Sequence, residues 1–183
     1  MELLVECPPT YPPGAKIVFV GEAPGREENE WHVCRACDYG QAGPGTCPRH
    51  HTALVPNPEG FVGAAGRCLQ RACQVAGIDW ATAGRTNIAK RRPLDNKFRE
   101  AFYETIEEPI YTKTGKVSKR TKKSERKTEE FLAWERCLQL ELRDKQPNLV
   151  VACGNEALEA LTGVSGITNY RGSILQERPP LDN

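Results

Sequence analysis

The chain lacks several things, and each absence narrows its class. No apolar run approaches the roughly 20 residues that span a bilayer, which excludes a membrane-spanning helix. Met1-Glu2-Leu3-Leu4-Val5-Glu6 has no basic segment and too short an apolar core for a secretory signal. A cytosolic setting with reduced thiols is therefore expected. There is no internal repeat. Histidine is scarce: His32, His50 and His51 are the only ones, all in one short stretch. Net charge is nearly absent as well, with 25 Lys+Arg against 24 Asp+Glu, or +1. Spread evenly, that balance argues against a polyanionic partner. What remains is ordinary: 183 residues, 39% hydrophobic and 27% charged, enough for one domain that folds without disulfides. Eight cysteines in a reduced chain must then serve metal binding, chemistry or packing.

The charge is unevenly spread. Between Tyr111 and Lys127 stand Lys113, Lys116, Lys119, Arg120, Lys122, Lys123, Arg126 and Lys127, against the single acid Glu125. Such a block repels itself and reads as a mobile loop, or simply a solvated one. Beside a polyanion it gains affinity by counterion release without reading sequence. Lys90-Arg91-Arg92 is a second basic cluster.

Three runs read as strands: Lys16 to Val20, Arg85 to Ala89, and Asn148 to Cys153. Each is followed by a helical pattern. Ala65, Leu69, Ala72 and Ala76 recur at helical spacing before Gly77. Phe131, Trp134, Leu138 and Leu142 form a stripe in a longer helix ended by Pro147. A third helix runs from Gly154 to Leu161 and is capped by Gly163. The alternation predicts an α/β fold, a short central parallel sheet flanked by helices in three layers. Ligands in such sheets sit beyond the carboxyl ends of the strands, which groups Gly21-Glu22, Asn87 and Gly154 around one crevice. Two segments fall outside this core and read as insertions into a single domain of residues 1–183. One, about 29–58, is rich in Cys, His, Gly and Pro. The other, about 98–127, is charged.

Cys34, Cys37, Cys47 and His50 form C-x2-C-x9-C-x2-H. Two close pairs joined by a Gly/Pro-rich loop can converge on one tetrahedral ion, and three thiolates with one imidazole suit zinc. The segment has no apolar core of its own, so metal would supply its folding energy. His51 or His32 are alternatives to His50, and an iron–sulfur cluster is the alternative to zinc. Cys68, Cys73 and Cys153 read as packed thiols.

Five ordered blocks carry a resemblance. They are Gly21-Glu22-Ala23-Pro24-Gly25 followed by acids, Phe61-Val62-Gly63-Ala64-Ala65-Gly66, Asn87-Ile88-Ala89-Lys90-Arg91-Arg92-Pro93, Cys153-Gly154-Asn155-Glu156-Ala157 and Arg171-Gly172. In this order the set resembles the uracil-DNA glycosylase superfamily, most closely its family-4 type. The resemblance spans Ile17 to about Ser173 apart from the two insertions. It implies a pocket for one flipped uracil and hydrolysis of the base–sugar bond, with DNA as partner, a monomeric enzyme, and the cytoplasm of a bacterial, archaeal or phage-infected cell as its place. Gly21, Glu22, Ala23, Phe61 and Asn87 would hold the base, with Glu22 and Asn87 catalytic. Phe61 would stack on the pyrimidine, and the Asn87 amide would read its edge. Pro24, Gly25, Lys90, Arg92, Lys119, Arg120, Lys122, Lys123 and Arg171 would meet DNA. Taken singly, Glu22 also suits a helix cap, Asn87 a turn and Phe61 a core position.

Two departures stand against the resemblance. The family-4 type holds an iron–sulfur cluster on four cysteines. Here only Cys7 and Cys137 match, and Arg91 occupies a third position. Cys34, Cys37 and Cys47 lie elsewhere and read as a zinc-held replacement. The family also continues to an H-P-S-like motif, which Arg178 to Asn183 does not contain, so the domain is expected to be incomplete at its carboxyl end and its activity weak or absent in the rival reading, a DNA-binding module of the same fold.

Overall fold

Three short strands with level ends organise the molecule. The structure, a computed structural model, describes residues 6–37, 39–57, 59–111 and 117–175, with backbone only at 111 and 117–120. In chain order its elements are β1 (Ile17–Gly21), α1 (Arg26–Asn29), β2 (Trp31–Val33), β3 (Gly40–Ala42), β4 (Val55–Pro56), α2 (Ala64–Val75) and β5 (Gly84–Asn87). Then come α3 (Phe98–Phe102), β6 (Tyr103–Tyr111), β7 (Val117–Lys127), α4 (Glu129–Lys145), β8 (Leu149–Cys153) and α5 (Asn155–Thr162). The central sheet is parallel, in the order β5-β1-β8. Gly21 lies level with both Asn87 and Cys153, so all three strands end together.

Strand β1 is central and covered on both faces, which is why its sequence is a continuous apolar run without alternation. Val18 and Val20 face a core built with Ile88, Phe102, Phe131, Trp134, Leu138 and Leu142. Phe19 faces the other way, onto Cys73 and Ala83, with Leu69 and Trp80 packed alongside. Helices therefore lie on both sides of the sheet, the three-layer α/β arrangement the sequence predicts. In α4 all four stripe residues are buried. Its start is capped by the Thr128 hydroxyl, which accepts the Phe131 N–H at 3.3 Å.

Helix α2 differs from expectation. Ala65, Ala72 and Ala76 are exposed, and Gly66 and Cys73 are the buried positions. Cys68, expected inside, is exposed, whereas Cys73 and the half-buried Cys153 pack as expected. Alanines give little hydrophobic contrast, so the periodicity did not fix which face turns inward. A backbone contact decides it. A Cβ on Gly66 would sit 1.7 Å from the Phe61 carbonyl oxygen, so the helix start presses directly on that loop.

The charged segment is also ordered differently. Residues 98–102 belong to the body, with Phe102 fully buried against Phe98, Phe131 and Trp134. The remainder, expected as a mobile loop, is an antiparallel hairpin with Tyr103 opposite Lys127 and Glu108 opposite Lys122. Glu104 pairs with Arg126 at 3.1 Å and Glu107 with Lys123 at 3.4 Å across it. Charged and polar residues dominate both strand sequences, so no apolar alternation announced them.

Lys90 was expected on DNA, but the structure buries it at 7% exposure. Its ammonium donates to the Thr86 hydroxyl at 2.7 Å and the Asn87 carbonyl at 2.9 Å, and pairs with Glu141 at 2.9 Å. Tyr11 also donates to Glu141, at 3.0 Å. The neighbouring Arg91 forks onto Glu130 at 2.9 and 2.7 Å and lies over the Phe102 and Trp134 rings. These two bonds fix the segment after β5 to α4. Lys90→Ala strands a carboxylate among buried partners and is expected to cost about 3 kcal/mol in urea unfolding. The double change Lys90→Met with Glu141→Leu, which removes both charges, is expected to cost less than the single one.

Candidate active site and metal centre

The level strand ends leave a cavity of 460 Å³, lined by Glu22, Ala23, Phe61, Leu69, Asn87 and Cys153 among others. It holds Gly21, Glu22, Ala23, Phe61 and Asn87 together, the set expected to contact the base. Asn87 is 5% exposed. Its amide fits only because glycines face it: a Cβ on Gly21 would lie 2.3 Å from Oδ1, and one on Gly60 would lie 3.4 Å from Nδ2. Among the described residues nothing hydrogen-bonds to that amide, although the Asn87 carbonyl accepts from Lys90. The amide lines the cavity and is not among the buried atoms left without a partner, so both its halves are open to a ligand there.

Phe61 has a left-handed backbone, φ 65°, which a bulky residue adopts only when held. The residue that holds it is Glu28, a carboxylate the sequence reading passed over. Its two oxygens accept the Gly25 and Phe61 N–H groups, each at 2.6 Å, and its own carbonyl accepts the Glu59 N–H at 3.2 Å. Burial pushes the Glu28 carboxyl up, and the Gly25, Phe61 and Gly63 N–H groups pull it back. The only signal in the sequence was the acid pair Glu27-Glu28. Its two members diverge: Glu27 faces outward onto Arg67 at 2.8 Å.

Glu22 crosses from β1 to α5, where its Oε1 accepts the Glu156 N–H at 3.1 Å. The helix-cap role is thus real, but on α5 rather than the helix next in sequence. Gly154 permits the approach, with φ 127° and no room for a Cβ, which would lie 2.4 Å from the same oxygen. Half-buried and at the cavity wall, Glu22 is pinned by one oxygen.

The residues expected to meet DNA are dispersed. Pro24 is fully buried and so cannot press on a DNA backbone as placed. Gly25 is half-buried with its N–H engaged by Glu28. Lys90 is internal, as described above. Arg92 is partly exposed and donates to Asn96 at 3.1 Å, and Arg171 is exposed. Lys122 and Lys123 are exposed on β7, and the Lys119 and Arg120 side chains lie outside the described residues, as do Lys113, Lys116 and 176–183.

Cys34, Cys37, Cys47 and His50 converge, with all four ligand atoms within 4.8 Å of one another. Cys37 and Cys47 sulfurs are 3.7 Å apart, and His50 Nδ1 lies 3.6 Å from both the Cys34 and the Cys47 sulfur. Around one tetrahedral ion, with bonds of about 2.3 Å to sulfur and 2.0–2.1 Å to nitrogen, neighbouring ligands stand about 3.6–3.8 Å apart. The residues fit such an ion. The Ala36 N–H points at the Cys34 sulfur at 3.4 Å, and that bond leads the causes that pull its thiol down to about 6. His32 is turned away, its Nδ1 on the Glu30 carbonyl at 2.6 Å. The small sheet β3-β2-β4 carries this group, and its buried apolar cluster is little more than the cysteines, Leu54 and Tyr39.

Glu28→Gln replaces one acceptor oxygen by a donor facing a backbone donor. The variant is expected to lose about 1–3 kcal/mol in urea unfolding, with loss of any ligand binding in the cavity because Phe61 is released. A variant as stable as the parent would remove Glu28 from this role.

No curated protein matches the chain. The family model of the uracil DNA glycosylase superfamily matches residues 8–178. That span covers the cavity, the metal segment and the hairpin, and the chain belongs to the uracil DNA glycosylase superfamily.

Proposed function

We propose that the protein excises uracil from DNA by hydrolysing the bond between the base and deoxyribose. The observation that carries this reading is the Asn87 amide, without a protein partner among the described residues and open to the cavity beside Phe61. One amide donates and accepts side by side, as uracil O4 and N3–H require. Cytosine presents the reverse order and leaves both halves unpaired. A base reaches such a cavity only by leaving the duplex stack, and Phe61 offers it a ring surface worth about 1–3 kcal/mol.

In the reaction, the C1′–N1 bond breaks and uracil leaves as an anion with the bonding pair. Water adds its oxygen to C1′ and loses a proton. Glu22 is the candidate to orient that water and accept the proton. The Asn87 N–H stabilises charge developing on the leaving base. Arg92 and Arg171 are proposed as phosphate contacts at the rim.

For the metal we favour zinc in a structural role. The ligand spacing supports a single ion rather than a multi-iron core, and four protein ligands leave no open position for chemistry. Zinc would hold β2, β3 and β4 together without entering the reaction. One feature favours a catalytically silent DNA-binding module instead: the described residues lining the cavity include no histidine.

Release of uracil from uracil-containing single-stranded DNA tests the reading. Asn87→Ala is expected to lower the rate about 10²–10³-fold. If parent and variant both give only background release, the module reading replaces the enzyme. Metal analysis should find zinc, lost on Cys47→Ser. Iron with sulfide and broad visible absorbance would overturn the zinc assignment.

A further inference from the structure

We infer that the β6–β7 hairpin is an arm that holds double-stranded DNA beside the cavity, its distal basic half lying along the phosphates. This rests on DNA being the substrate and names the form of DNA and the element that grips it.

The hairpin is rigid at its root. The Thr128 N–H donates to the Phe102 carbonyl at 3.0 Å, closing the neck. Tyr103 donates to Glu156 at 2.7 Å, Arg99 lies over the Tyr103 ring and pairs with Glu156, and Lys127 pairs with Glu135 at 2.7 Å. Glu156 is also the residue whose N–H holds Glu22. One residue thus bonds both the root of the arm and the wall of the cavity, which fixes where the arm departs.

Charge is sorted along its length. Near the root, acids neutralise bases: Glu104 on Arg126, Glu107 on Lys123, Glu125 on Arg99. The acids of β6 stop at Glu108, opposite Lys122. Beyond it β6 continues as Pro109, Ile110 and Tyr111, while β7 carries Lys119 and Arg120 in the same stretch. Charges that merely protect an open strand edge can be of either sign. Here the distal stretch is of one sign, as a polyanion requires. The 11 residues of β7 reach about 36 Å at about 3.3 Å each, close to one turn of B-DNA. A two-stranded ribbon of this kind fits a major groove or follows its phosphates.

The test is fluorescence anisotropy with an undamaged duplex of about three helical turns and with a single strand of the same sequence, between roughly 50 and 200 mM salt. The probe variant is K119Q/R120Q, the two β7 bases beyond the last acid of β6. The log–log salt slope for duplex is expected to become shallower by about 2, with at least a tenfold loss of duplex affinity at the lower salt, as two lost phosphate contacts at about 0.9 each imply. Single-strand affinity should change by less than about twofold. A hairpin shortened by joining Thr105 to Glu125 through Asn-Gly should behave alike. An unchanged duplex slope overturns the inference and points to another anionic partner. Equal weakening for duplex and single strand overturns it too. The DNA contains no uracil, so the result is independent of excision: arm-dependent duplex binding by a chain that releases no uracil would uphold the arm and remove the enzyme reading.

Discussion

Everything near the cavity depends on one buried carboxylate closing one loop. Residues leave the body at α1 and return at Glu59 to Phe61, and Glu28 stands at both ends of that excursion. Its carbonyl takes the Glu59 N–H, and its side chain takes the Phe61 and Gly25 N–H groups. The Cys/His segment in between can therefore fold by its own rules without displacing the Phe61 ring that lines the cavity. Loop-closure entropy grows slowly with length, so a long excursion costs little once its neck is pinned. The hairpin follows the same plan, with the Phe102–Thr128 bond as its neck. Two insertions thus leave the sheet itself undisturbed.

The two excursions are stabilised by different means because their compositions differ. The first has cysteines where a domain would have leucines, and it gathers them with His50 into one group able to hold an ion where apolar burial is thin. The second has neither, and a two-stranded hairpin is marginal alone in water. It borrows a root from the body through Tyr103, packed on Phe131, and through the Lys127–Glu135 pair. Behind the cavity a third polar cluster, Lys90 with Glu141, Thr86 and Tyr11, fixes the carbonyl of Asn87 while leaving its amide unengaged. Such a network orients more than it stabilises, since apolar residues of the same volume would fill the space as well.

What could be read from the sequence follows from contrast. Strands β1 and β8 and the α4 stripe were legible because large apolar residues stand out from their neighbours, whereas β5 is Gly-Arg-Thr-Asn and was legible only from the Ile88-Ala89 that follow it. The Cys34–His50 set was legible because ligand spacing has few other causes. The face of α2 was not, since alanine and glycine carry little signal and the deciding contact is between backbone atoms, Gly66 against Phe61. Nor were Lys90 and Pro24. Their types suggested the surface, and only the partners brought by α4 and the loop made burial tolerable. Glu28 was hidden beside Glu27, because adjacent acids look alike until the chain bends one inward.

The overall charge can now be understood physically. A value of +1 would suit a protein indifferent to polyanions. The acids that cancel the basic block are largely committed: Glu104 and Glu107 within the hairpin root, Glu130 to Arg91, Glu135 to Lys127, Glu141 to Lys90. A paired acid beside its own base contributes little field beyond a Debye length of about 8–10 Å. Beyond Glu108 the sequence of β6 and β7 carries bases and no acid, so this stretch keeps its field. A phosphate approaching the arm meets a locally cationic surface whatever the sum over the chain, and it is this local potential, with its counterions ready for release, that sets affinity.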